Sequence, residues 1–94
     1  MIKRQKRLQK LRQSPKDVSF EELRQVLEDH GFVLDHATGS HHIFRAVIED
    51  QAFKVVIPFN RPVKPVYVRA ALELIDQVNE VRQAETEEEN GEDK

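Results

Sequence analysis

Gly39-Ser40-His41-His42-Ile43-Phe44-Arg45 is the stretch of this 94-residue chain whose residue types and spacing can do chemistry. RNA can be cut without a metal when a base takes the proton of a 2′-hydroxyl and the freed oxygen attacks the adjacent phosphate. A histidine titrates near neutral pH, so His41 can be unprotonated there and accept that proton. Cations must offset the charge that grows on the phosphorane oxygens, a role open to Arg45 or Lys54. Gly39 lets the backbone approach a phosphate closely, and the Ser40 hydroxyl can donate to one of its oxygens.

Strand alternation separates the two adjacent histidines. Along a strand from His41 to Ile48, His42, Phe44, Ala46 and Ile48 share one face, and His41, Ile43, Arg45 and Val47 share the other. Phe44 marks the core side, which leaves His41, Arg45 and Lys54 on an open face and His42 at the edge of the core. With one histidine on the open face, no separate general acid is in the inventory. Water or His41 itself has to serve, and slow turnover is expected. His30 reads as a helix C-terminal histidine meeting the dipole, and His36 as a strand-edge residue. The four histidines lack helical H-x₃-H spacing, and no cysteine or nearby carboxylate completes a ligand set, so neither metal nor cofactor is expected.

The elements that must position these groups follow from local patterns. Ser19-Phe20-Glu21-Glu22 matches a capping box, with Val18 and Leu23 as its hydrophobic staple. Phe20, Leu23, Val26 and Leu27 recur at helical spacing and Gly31 ends the run, predicting a helix over Ser19 to His30. Short strands are predicted over Phe32 to His36, His41 to Ile48 and Phe53 to Ile57, with turns at Ala37 to Ser40 and around Glu49-Asp50-Gln51. Pro58 and Pro62 interrupt regular structure. Pro65 suits a first helical turn, and Tyr67, Ala71, Leu74, Ile75 and Val78 carry a second helix to about Arg82. The order is helix, three antiparallel strands, helix: an α+β fold with both helices on one sheet face. Leu23, Leu27, Phe44, Phe53, Val55, Leu74 and Val78 are its expected core.

Ninety-four residues suffice for one domain. Residues 18–83 are read as that domain, residues 1–17 as a mobile basic arm or, in the alternative, a weak, fraying helix stopped by Ser14-Pro15, and residues 84–94 as a disordered acidic tail. The absence of cysteine fits a reducing compartment. No apolar run can span a membrane, and the charged start lacks the apolar stretch of a secretory signal. A cytoplasmic location is therefore expected. The net charge of −2 conceals strong segregation. Between Gly39 and Arg69 the only acids are Glu49 and Asp50, against Arg45, Lys54, Arg61, Lys64 and Arg69. A phosphate responds to that local field rather than to the total.

Taken together, the helix ending His30-Gly31-Phe32, the short strand, the Gly39-Ser40-His41-His42-Ile43-Phe44 entry, the strand ending in Pro58 and the helix opening at Lys64-Pro65 resemble the HicA (YcfA-like) toxin family. The resemblance covers about Val18 to Val78. It implies a double-stranded-RNA-binding-domain-like fold, cleavage of mRNA independent of translating ribosomes, and neutralisation by a HicB-type antitoxin. The family's catalytic histidine, the first after Gly-Ser, corresponds to His41, and its glycine to Gly39. Where the family usually carries a basic residue just before that glycine, this chain has Thr38. On this reading His41 is catalytic, and Gly39, Ser40, Arg45, Lys54 and Lys64 contact RNA. The alternative from another class is a module on the same fold that binds RNA without cutting it.

Overall fold

The computed structural model describes the backbone of residues 3–92 and the side chains of residues 5–83. Its elements in order are α1 (Lys3–Gln13), α2 (Phe20–Asp29), β1 (Val33–Thr38), β2 (His41–Ile48), β3 (Gln51–Pro58) and α3 (Pro65–Glu92). The strands form one antiparallel sheet in the order β1-β2-β3. The fold is α+β, with the helices on one face of the sheet, consistent with a double-stranded-RNA-binding-domain-like architecture.

The caps of α2 explain its bounds. Ser19 Oγ accepts from the Glu22 backbone N–H at 3.1 Å, and the Glu22 carboxylate accepts from the Ser19 N–H at 2.9 Å, which completes the capping box. At the other end, Phe32 N–H donates to Leu27 C=O at 2.9 Å and Gly31 N–H to Glu28 C=O at 3.1 Å. That pair of bonds is a Schellman motif, and it needs the positive φ of Gly31, +93°. A Cβ on Gly31 would meet the Arg82 guanidinium, the far end of a flexible side chain that can move aside, so conformation rather than space calls for glycine there.

Phe20, Leu23, Val26 and Leu27 of α2 and Val68, Ala71, Leu72, Ile75 and Val78 of α3 bury against Phe44, Ala46 and Ile57 of the sheet. Of the expected core, Leu23, Leu27, Phe44 and Val78 are buried, and Phe53, Val55 and Leu74 pack against it partly buried. Phe32, just before β1, and Val63, in the loop after β3, complete it.

Two expectations fail. Residues 3–13 form a docked helix rather than a mobile arm. Leu11 is 1% exposed, and Leu8 packs beside it against the same core. Three cations then clamp α1 to its neighbours. Arg7 grips Asp29 of α2 through Nε and Nη2, at 2.7 and 2.8 Å. Lys10 Nζ donates to both Glu22 oxygens and to the Asp17 carbonyl, and Arg12 grips Asp76 of α3. Composition indicates mobility only while such partners are hidden, and these lie up to 64 residues away. Likewise, α3 does not stop at Arg82 but continues to Glu92 through the segment expected to be disordered. Neither proline nor glycine interrupts it before Gly91. Met1, Ile2, Asp93 and Lys94 lie outside the described residues. No helix among the described residues is long and apolar enough to cross a membrane.

The α1 clamp makes stability pH-dependent. The Glu22 carboxyl is held below its ordinary value of 4.5, first by the Ser19 backbone N–H and then by Lys10. Asp29 is held below its ordinary 3.8, first by its hydrogen bond from Arg7. Carboxyls whose folded pKa is depressed contribute stability that is complete above the unfolded value and lost as pH falls through the folded one. The melting temperature should therefore drop as pH falls from about 5 to about 3, and Glu22→Gln or Asp29→Asn should flatten that drop.

The β2–β3 turn offers a second check. Ile48 pairs with Gln51, so Glu49 and Asp50 form a two-residue loop, with φ of +53° and +64°. Positive φ at both central positions is the type I′ geometry that favours Asn-Gly. Replacing Glu49 and Asp50 together by Asn and Gly should stabilise the fold by about 1 kcal/mol. In a thermal melt that is a rise of about 4–8 °C.

Candidate functional site

His41 opens β2 immediately after the β1–β2 turn. Thr38 pairs with His41, so Gly39 and Ser40 are the two central residues of the hairpin. Gly39 has φ +59° and Ser40 has no positive φ, as in the type II′ turn with glycine first. A Cβ on Gly39 would meet nothing within 4 Å, so conformation alone calls for glycine there, and the space above it is open. Gly39, Ser40 and His41 are all exposed.

The ladders assign each side chain to a face. His41 pairs with Pro58, Ile43 with Val56, Arg45 with Lys54, and Val47 with Ala52. These residues share the face away from the helices, and His41, Arg45 and Lys54 are exposed on it, as alternation predicts. Along β2, however, His41 and Arg45 are four residues apart, about 13 Å at strand spacing. Arg45 and its neighbour Lys54 are therefore too far along the sheet to meet a group held at His41.

Another cation-bearing segment does reach the histidine end of the sheet. Phe59 N–H donates to Ser40 C=O at 2.7 Å, carrying the β2–β3 ladder one step past Pro58. The loop from Phe59 to Lys64 starts from that bond, and Val63 N–H ties its far end to Val18 C=O at 2.9 Å. Arg61 rests on the Phe59 ring at 5.4 Å, within the range of a cation–π contact. It lines an open groove together with Asp17, Ser19, Phe20, Glu21, Glu22 and Pro62. Lys64 is exposed just before α3. Phe59 and Arg61 were not placed beside the Gly39-Ser40 turn on sequence grounds. The signal was present: a two-residue turn at Glu49-Asp50 sets Pro58 opposite His41 and brings Phe59 to Arg61 alongside.

His42 behaves as the alternation argument requires. It points to the helix side, where its ring lies 4.7 Å from that of Phe20 and 6.3 Å from that of Phe59. Its Nδ1 is 3.0 Å from Ser40 C=O. A carbonyl only accepts, so the Nδ1 carries the proton in this contact. Ser40 C=O thus receives both the His42 ring and the Phe59 amide, which holds the turn behind His41.

The expectation of a single histidine on the open face is overturned by a β-bulge. Leu34 pairs with Phe44 but His36 pairs with Ile43, so Asp35 is an extra residue in β1. Without it His36 would follow Leu34 to the core side. With it, His36 joins His41 on the open face, exposed, with Nδ1 3.1 Å from Asp35 Oδ2. His30 lies elsewhere, buried at the C-cap of α2. Among the described residues no three His, Cys, Asp or Glu side chains group to hold a metal ion.

A family model for the HicA toxin of bacterial toxin–antitoxin systems matches residues 20–77, more than half of the chain, from the start of α2 into α3. Helix α1 precedes the matched span. No curated protein and no solved structure matches the chain.

The two adjacent histidines should separate in a denaturation experiment. His42→Ala removes a ring contact, typically 0.5–1.5 kcal/mol, and a hydrogen bond of about the same worth. It should cost roughly 1–3 kcal/mol in urea unfolding, whereas His41→Ala should stay within about 0.5 kcal/mol of the parent.

Proposed function

Because the chain belongs to the HicA family of toxins of bacterial toxin–antitoxin systems, we propose that it is an endoribonuclease, an mRNA interferase that cuts without a metal and uses His41 as general base. What supports this is His41 itself: exposed, on the sheet face that no helix covers, directly after the Gly39-Ser40 turn, and inside the matched span. The neutral imidazole takes the 2′-hydroxyl proton, and the 2′-oxygen attacks the adjacent phosphorus. The turn leaves open space for a phosphate above Gly39, and Ser40, exposed in the same turn, has a hydroxyl that can donate to it. Arg45 and Lys54 meet phosphates further along the strand, and Lys64, exposed just before α3, adds positive charge.

As a member of the family the chain has an antitoxin as its partner. A HicB-type protein is the one we propose, meeting the open sheet face. There Val33, Val47 and Val56 are 63%, 55% and 40% exposed, apolar area that suits a protein interface among the cations.

Incubation of the purified chain with mixed-sequence RNA tests the reading. The parent should cut in the presence of EDTA and leave 2′,3′-cyclic phosphate ends. His41→Ala should lower cleavage by at least about 10²-fold while retaining salt-sensitive RNA binding. If EDTA stops the reaction, or His41→Ala cuts as fast as the parent, the mechanism is wrong. A parent that binds RNA but never cuts it is a binding module instead.

A further inference from the structure

The bulge at Asp35 brings a second imidazole into the neighbourhood of His41. His36 pairs with Ile43, two residues along β2 from His41, so the two histidines are diagonal neighbours on one face of an antiparallel ladder. Residues in that relation are about 7–8 Å apart, within reach of ring side chains. Both rings are exposed, the His36 side chain at 58%. Ile43, the ladder partner of His36 and same-face neighbour of His41, is 9% exposed although it is on the open face. The Asp35 carboxylate accepts from His36 Nδ1, so Nε2 is the nitrogen left to carry a proton outward. A carboxylate that orients an imidazole through Nδ1 while Nε2 does the proton transfer is a recurring catalytic arrangement. The charged and titratable groups of this face are Asp35 and His36 from β1, His41 and Arg45 from β2, and Lys54 from β3.

We propose that His36 is the general acid of the cleavage, with Asp35 as its positioning residue; the proposal rests on the reading of His41 as general base. The step balances without any co-reactant. His41 takes the proton of the 2′-hydroxyl, the bond from O2′ to phosphorus forms, and the bond from phosphorus to O5′ breaks. Protonated His36 gives its proton to O5′. The products are a 2′,3′-cyclic phosphate and a 5′-hydroxyl, and proton exchange with water resets the two rings. His36 also supplies the acid that was absent from an inventory drawn up on strict alternation.

A leaving-group substitution tests this separately from the reading beneath it. A cut site is first located in mixed-sequence RNA with the parent protein. An oligonucleotide of that sequence is then made with the bridging 5′-oxygen of the scissile linkage replaced by sulfur, which departs as a thiolate and needs no proton. His36→Ala and His36→Gln should each lower kcat on ordinary RNA by at least about 10²-fold with KM little changed. They should lose the fall in rate on the alkaline side of the pH profile, and they should cut the sulfur substrate nearly as fast as the parent. His41→Ala should be slow on both substrates. Asp35→Asn should lower kcat less than His36→Ala and be rescued in the same way. If the His36 variants cut ordinary RNA at the parent rate, or are equally slow on both substrates with the parent's melting temperature, the general-acid role is overturned while the His41 reading stands. If His41→Ala cuts ordinary RNA as fast as the parent, the underlying reading fails and takes the pair with it.

Discussion

The central strand β2 has a hydrogen-bonded neighbour on each side, so its pleat is the reference to which every other side chain of the sheet is registered. A one-residue slip would move Phe44 and Ala46 into solvent and carry Arg45 into the core. Burying Phe44 alone contributes roughly 1.5–3 kcal/mol, and placing an unpaired guanidinium in its place would cost more. The hydrophobic face of β2 therefore excludes other registers, and it does so for His41 and His42 at once. His42 is drawn beneath Phe20, while His41, its neighbour in sequence, has to stand in solvent. The chemistry of the open face is in this sense a by-product of the packing on the other.

The pleat alone would not assemble a site, because it gives each strand a fixed phase and nothing more. Two departures from regular pairing bring further groups to the same end of the sheet. The extra residue Asp35 inverts the phase of β1 beyond Leu34, which returns Thr38 to the partner position of His41 and turns His36 outward. Beyond Pro58, the Phe59 amide continues the ladder to Ser40 C=O, so the following loop leaves from beside the turn. One carbonyl thus anchors the turn to both the His42 ring and the β3–α3 loop.

How much of this was legible in the sequence depends on the range of the interactions involved. The α2 caps, the β2 alternation and the exposure of His41 were readable because each is set by residues within a few positions of one another. Ser19 and Glu22 are three apart, and Gly31 closes a helix whose last turn it touches. The bulge was not readable, since Val33-Leu34-Asp35-His36 is compatible with either phase until β2 is laid beside it. Docking of α1 was hidden for a related reason. Lys10, Arg7 and Arg12 read as a solvated run until the fold brings Glu22, Asp29 and Asp76 within reach. Leu8 and Leu11, set three apart, were the local hint, and two leucines among eleven residues are too few to outweigh the surrounding charge.

That docking also changes how the charge of the molecule is to be counted. Arg7, Lys10 and Arg12 each face a carboxylate within 3 Å, so much of their field is cancelled where it arises. Arg45, Lys54, Arg61 and Lys64 have no carboxylate partner among the described residues, and all four are exposed. Three cations of α1 are thus engaged in holding that helix in place, which its basic composition alone does not reveal. Arg45 and Lys54 carry uncompensated charge on the open sheet face with the exposed histidines, whereas Arg61 rests on Phe59, whose ring packs with Phe20 and His42 on the helix side. A chain with more acids than bases can still expose cations on its open sheet face because most of its acids lie on α2 and α3, where Glu22, Asp29 and Asp76 hold α1 in place, while Asp35, on that face, is taken up by His36.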